Sequence, residues 1–110
     1  MSLDIRFTER ENVLCPHCGE IVTTRDVQIV GSGGREWYDI LEELGYYVPY
    51  DQRTEENDWY GKDMVLTTEQ AERLYWYVME HRDICGSYDI TGLIARARFN
   101  KNAIVINADW

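Results

Sequence analysis

Proline, histidine and cysteine are all scarce in this 110-residue sequence, at two, two and three residues respectively. Few prolines alongside 45% hydrophobic residues exclude a long disordered stretch. Two histidines leave little room for general-base catalysis, and neither a Gly-x-Ser-x-Gly elbow nor a His-Glu-x-x-His helix occurs. The expectation is a protein that is not an enzyme. No apolar run approaches the roughly 18 to 20 residues of a membrane span, and Met1 to Arg6 lacks a basic region leading into a hydrophobic one. A cytoplasmic setting follows as an expectation. A chain of this length is most simply read as one domain, 1–110, because two halves would each struggle to bury a core.

Positive charge is also in short supply. The net charge is −9, and between positions 31 and 63 nine carboxylates face only Arg35, Arg53 and Lys62, a local −6. Such a field opposes phosphate backbones and anionic membranes and favours a basic surface on a partner protein, although acidity also serves solubility alone. Near the C-terminus Arg96, Arg98 and Lys101 outnumber Asp109, as a charged helix face would.

The pattern of apolar residues predicts an α+β domain with a small mixed or antiparallel sheet and about three helices. Ile5 and Phe7 alternate with Arg6 and Thr8, and Val13-Leu14 leads into a Pro-His-Cys-Gly turn. Residues 21–24 and 27–30 return from it, as in a hairpin hinged at that turn. Gly31-Ser32-Gly33-Gly34 should break the strand, with Ser32 as an N-cap. It makes a poor phosphate cradle, because Glu36 replaces the glycine of a dinucleotide fingerprint and repels phosphate. Trp37, Ile40, Leu41 and Leu44 then recur at helical spacing, closed by Gly45. Residues 46–62 read as a long loop, the kind that tends to be functional. Thr67 and Gln70 form a capping box for a helix reaching about Arg82, whose Trp76, Tyr77 and Met79 extend its apolar surface beyond one stripe. Ile90, Leu93, Ile94 and Ala97 mark a third, shorter helix, and residues 103–106, apolar on both faces, an interior strand.

The sharpest local signal is Cys15-Pro16-His17-Cys18-Gly19. Two thiolates on a tight turn offer their sulfurs to one tetrahedral ion, and the glycine frees the backbone to wrap it. The five residues resemble the Cys-Pro-x-Cys-Gly knuckle of zinc ribbons. Cys-Pro-His-Cys is also similar to the redox tetrapeptide of thioredoxin-fold disulfide oxidases, where the first cysteine opens a helix. Here a β-branched run, Ile21 to Thr24, follows instead, which favours metal over redox chemistry. A structural zinc needs four ligands, and His81 and Cys85, four apart at a helix end, share a face. The expected site is therefore zinc held by Cys15, Cys18, His81 and Cys85, with His17 as a substitute. The plainer alternative makes His81 a helix-capping residue and Cys85 a small buried hydrophobe.

The knuckle, the run Trp37-Tyr38-Asp39, the loop from Tyr46 to Asp51 and the ending from Val105 to Trp110 together resemble small uncharacterised proteins of phages and prophages of gut bacteria. That resemblance implies a viral setting, in which small acidic proteins often bind host or phage proteins. It brings no catalytic residues. The expected function is a zinc-stabilised interaction module, in its sharpest form an inhibitor that mimics nucleic acid in a host nuclease. Its partner surface would comprise Tyr47, Tyr50, Asp51, Glu55, Glu56, Asp58, Trp59, Tyr60 and Trp76, since aromatics concentrate binding energy and carboxylates steer a basic partner. The alternatives are a nucleic-acid-associated zinc protein or small metal-dependent enzyme using Arg96, Arg98 and Lys101, and a phage structural component that assembles through its apolar helix.

Overall fold

A computed structural model describes residues 3–110. The chain runs β1 (Asp4–Leu14), β2 (Ile21–Gly33), α1 (Trp37–Glu43), a 3-10 turn (Tyr50–Gln52), β3 (Met64–Val65), α2 (Thr68–Glu80), α3 (Ser87–Phe99) and β4 (Ala103–Asp109). The fold is α+β. Among the described residues four strands lie in the order β2-β1-β4-β3, and every pairing is antiparallel. As the apolar pattern of residues 103–106 implies, β4 is interior.

One face of the sheet carries the core. Phe7 is paired with Ile106 and Ile5 with Ala108, so all four point the same way, and α3 packs across β1 with further contact to β2 and β4. Trp37 from α1 closes against Phe7 at a ring separation of 5.1 Å, and Leu74 and Val78 from α2 complete the cluster. The capping box of α2 forms, with the Gln70 amide donating to the Thr67 hydroxyl at 3.1 Å and the Thr67 amide to the Gln70 side-chain oxygen at 2.9 Å. Gly45 adopts φ +81 immediately after α1, as a left-handed helix stop requires.

Three local expectations are corrected. The glycine run does not break the strand: β2 continues to Gly33, because a side chain there would meet the Leu3 carbonyl at 2.7 Å, and glycine lets the two backbones approach. Ser32 accordingly lies within β2, and Glu36 precedes α1 without a side-chain cap. The third helix is not shorter than the second, since both have 13 residues.

The loop over residues 46–62 is tied down by aromatic packing. Tyr46 is buried, and its hydroxyl donates to the Lys62 carbonyl at 2.6 Å and accepts from the Ala108 amide at 2.8 Å. Trp110 meets Tyr46, Tyr47 and Tyr60 edge-on, and the Arg53 guanidinium lies over the Trp110 ring at 5.4 Å. Among the described residues, no helix is long and apolar enough to cross a membrane.

Candidate functional site

The first hairpin runs past the end of the sheet it belongs to. β4 pairs with β1 only from Asp4 to Arg10, whereas β2 accompanies β1 out to Leu14. Beyond Arg10 the hairpin is a two-stranded ribbon, and the molecule measures 49 × 33 × 23 Å. A bulge marks the point of departure. Glu9 pairs with Gln28 and Arg10 with Asp26, which leaves Val27 as the extra residue. A second irregularity, between the pairs Val13–Thr23 and Leu14–Ile21, leaves Val22 unpaired near the tip. Cross-strand ion pairs lace the ribbon: Arg10 reaches Asp26 at 2.9 Å, and Arg25 pairs with Glu11.

The tip is the Cys-Pro-His-Cys-Gly turn. Its backbone closes through the Cys15 amide to the Glu20 carbonyl at 2.7 Å and the Gly19 amide to the Cys15 carbonyl at 2.9 Å, with Gly19 in the left-handed region at φ +75. The backbone amides of His17 and Cys18, that of His17 foremost, and the neighbouring Cys18 thiol hold the Cys15 thiol below the ordinary cysteine range. Two sulfurs converge on a turn whose amides already favour the thiolate. This donor geometry suits half of a tetrahedral metal site. A helix does not follow the turn, so the dipole that activates the first cysteine of a redox tetrapeptide is absent here.

The other two expected ligands are elsewhere. Cys85 sits at the body end of the hairpin, where its carbonyl accepts from the Ser32 hydroxyl at 2.7 Å. Ser32 pairs with Ile5, and Ile5 is nine residues from Leu14 along β1, about 30 Å at the usual rise per strand residue. Zinc–sulfur bonds are about 2.3 Å long, so Cys15, Cys18, His81 and Cys85 do not form one site within a chain. His81 is the C-cap residue of α2, with its ring stacked on Tyr77 at 4.1 Å and its Nδ1 donating to the Tyr77 carbonyl at 2.7 Å. It takes the capping role. Cys85 is exposed rather than a buried hydrophobe. Among the described residues, no three His, Cys, Asp or Glu side chains gather where they could hold a metal ion. His17 is exposed on the turn.

The expected partner surface divides in two. Tyr50, Asp51, Glu55 and Asp58 do come together, with Arg53 and Thr54, around an open depression in which Tyr50 is 87% exposed. Glu56 is exposed nearby in sequence, and Tyr60 leans on Trp110 while remaining half exposed. Tyr47 and Trp59, by contrast, are half-buried against the core, Tyr47 between Tyr38 and Trp110 and Trp59 against Tyr46. They cover the body. Trp76 is half exposed on α2, edge-on to Tyr75. Arg98 and Lys101 line a depression with Thr67 where α2 starts and α3 ends, and Arg96 and Arg98 occupy the last turn of α3, where cations complement the helix dipole.

Two features escaped the sequence reading. Glu9 is 1% exposed, with one carboxylate oxygen accepting from the side-chain amides of Asn100 at 3.3 Å and Asn102 at 2.8 Å. The alternation of β1 places it on the core face, a signal that was available. The hairpin's exposed apolar residues, Leu14, Ile21, Val22, Val27 and Ile29, are the other. Comparison with protein-family models, with characterised proteins and with solved structures gives no match.

Proposed function

We propose that the protein is a zinc-binding protein-interaction module: the ribbon carries a metal knuckle away from the core, and the acidic body receives a basic partner. The observation that carries this reading is the position of the paired thiols. They stand at the far end of a ribbon with little core around it, so the turn contributes almost nothing to the packing of the body. An isolated two-stranded ribbon is marginally stable in water, and an ion at its tip would fix the turn. Cys15 and Cys18 would supply two thiolates to that ion, which in turn supplies a rigid cross-link between groups that no disulfide joins.

The acidic depression around Tyr50 supports the second half of the reading. One exposed tyrosine ringed by Asp51, Glu55 and Asp58 offers an amphipathic anchor within a negative field, suited to lysine- or arginine-rich protein surfaces. In a phage setting the natural target is a host enzyme with a basic cleft. Nucleic acid itself fits less well, because the net charge of −9 opposes it.

The test has two parts. Protein purified under reducing conditions should carry zinc, and the Cys15→Ser/Cys18→Ser double variant should carry none while keeping its circular dichroism spectrum. Partners captured from extracts of the native cells should be released by moderate salt and lost with Asp51→Lys/Glu55→Lys. Metal-free protein would refute the first half. Capture indifferent to salt and to the charge reversal would refute the second.

A further inference from the structure

We infer that a second copy of this chain completes the metal site, two ribbon tips meeting so that Cys15 and Cys18 of each copy hold one shared zinc ion. This inference rests on the proposed reading of the tip as a zinc knuckle and names the partner at that site. The argument begins with the ligand count. A structural zinc takes four donors, the tip supplies two thiolates, and the nearest unused cysteine is about 30 Å away at the body end of the hairpin. His81 is committed to the Tyr77 carbonyl through its Nδ1 and to the Tyr77 ring by stacking. The missing half of the site has the chemistry of the half that is present. A twofold axis through the ion supplies it, since an isologous contact brings the same patch from both copies.

The surroundings of the thiols fit such a contact. Leu14, Ile21 and Val22 flank the turn and are 55%, 59% and 63% exposed, and Val22 is free of the strand register. Contiguous apolar side chains at the end of a projecting arm mark a surface meant to be covered. Two tips placed end to end would cover each other's. Charge raises no obstacle. Residues 10–26 carry two cations and three carboxylates, so the ribbon holds little of the chain's −9. The acidic bodies would be separated by two ribbon lengths, several times the roughly 8 Å screening length at physiological ionic strength. Assembly at the tip therefore joins two acidic bodies that would repel if set face to face.

The experiment is native mass spectrometry together with sedimentation and metal analysis, on the full chain kept reduced and titrated with zinc chloride. The expected result is a doubling of mass on adding zinc, with one ion for every two chains, reversed by a chelator. The Cys15→Ser/Cys18→Ser variant should remain a single chain at all zinc concentrations, with the thermal unfolding profile of the metal-free parent because its thiols lie outside the core. Cys85→Ser should double in mass just as the parent does. One ion bound per single chain would overturn the second-copy inference while leaving the zinc knuckle intact. No bound ion would overturn both. A doubled species that forms without zinc, survives in the double thiol variant or requires Cys85 would overturn the inference alone.

Discussion

The Ser32 hydroxyl donates to the Cys85 carbonyl at 2.7 Å while accepting from the indole nitrogen of buried Trp37 at 3.1 Å. One small side chain thus anchors the body end of the first hairpin to the turn between α2 and α3 and satisfies the polar atom of a core tryptophan. It also fixes Cys85 at the end of the hairpin opposite the thiol pair.

Ser32→Ala should therefore destabilise the protein by about 1 to 3 kcal/mol, because the Trp37 N–H is left buried without an acceptor. Urea unfolding monitored by tryptophan fluorescence measures this. Metal content should not change, since Ser32 is remote from the tip. A neutral effect on stability would show that water replaces the hydroxyl.

Glu9 gives a larger expected loss. Its carboxylate is buried on the core face of β1 and gathers the Asn100 and Asn102 side chains, which belong to the turn between α3 and β4. Glu9→Ala removes the acceptor for two amides and leaves a cavity, an expected cost of about 2 to 4 kcal/mol. Glu9→Gln should cost less, since its amide oxygen can still accept both bonds. Chemical denaturation of the two variants side by side checks the order.

Periodic residues made most of the body legible, and non-local ones did not. The helical spacing from Trp37 to Leu44, the capping box at Thr67 and the two-faced apolar run of β4 each depend on neighbours in sequence. The end of β2 depends instead on Leu3, thirty residues from Gly33, whose carbonyl leaves no room for a side chain. Local turn chemistry therefore misread the glycine run as a break. The ligand set failed for the same reason. His81 and Cys85 have the spacing of a shared helix face, but α2 ends at Glu80 and leaves Cys85 in the turn that follows, and nothing local reveals that the hairpin carries Cys15 and Cys18 away from them. The length of the ribbon follows from β4 pairing no further than Arg10.

The root of the ribbon carries a pH-dependent contact. Asp63 accepts from the Asn107 side chain at 2.8 Å and faces Arg10 at 3.4 Å, and these two partners, the amide first, hold its carboxyl below the ordinary aspartate range. A depressed folded-state pKa means that the unfolded chain takes up the proton first as pH falls. The stabilisation is complete above the unfolded aspartate pKa and is lost as pH drops through the lower folded value. Asp63→Asn should flatten that acid limb of stability against pH, with little pH-dependent difference at neutrality. The effect should be modest and should shrink with salt, because both ionic side chains are partly exposed. Unfolding midpoints measured across the acid range at two ionic strengths test the sign and the screening together.

Val22 separates folding from association. It is the unpaired residue of the irregularity nearest the thiol turn and is 63% exposed, so Val22→Asp removes no core contact and breaks no strand pairing. Surface substitutions of this kind usually shift stability by no more than about 0.5 kcal/mol. In the shared-ion assembly, however, the new carboxylate would stand beside its own symmetry mate and near four thiolates. Like charges held close in a partly desolvated contact repel strongly, so zinc-driven doubling should require at least about tenfold more protein, equivalent to about 1.4 kcal/mol. Val22→Thr, similar in shape and uncharged, should associate nearly as the parent does. Sedimentation of both variants with and without zinc makes the comparison. Equal association by Val22→Asp and Val22→Thr would mean that the apolar flank of the tip is not covered when the ion binds.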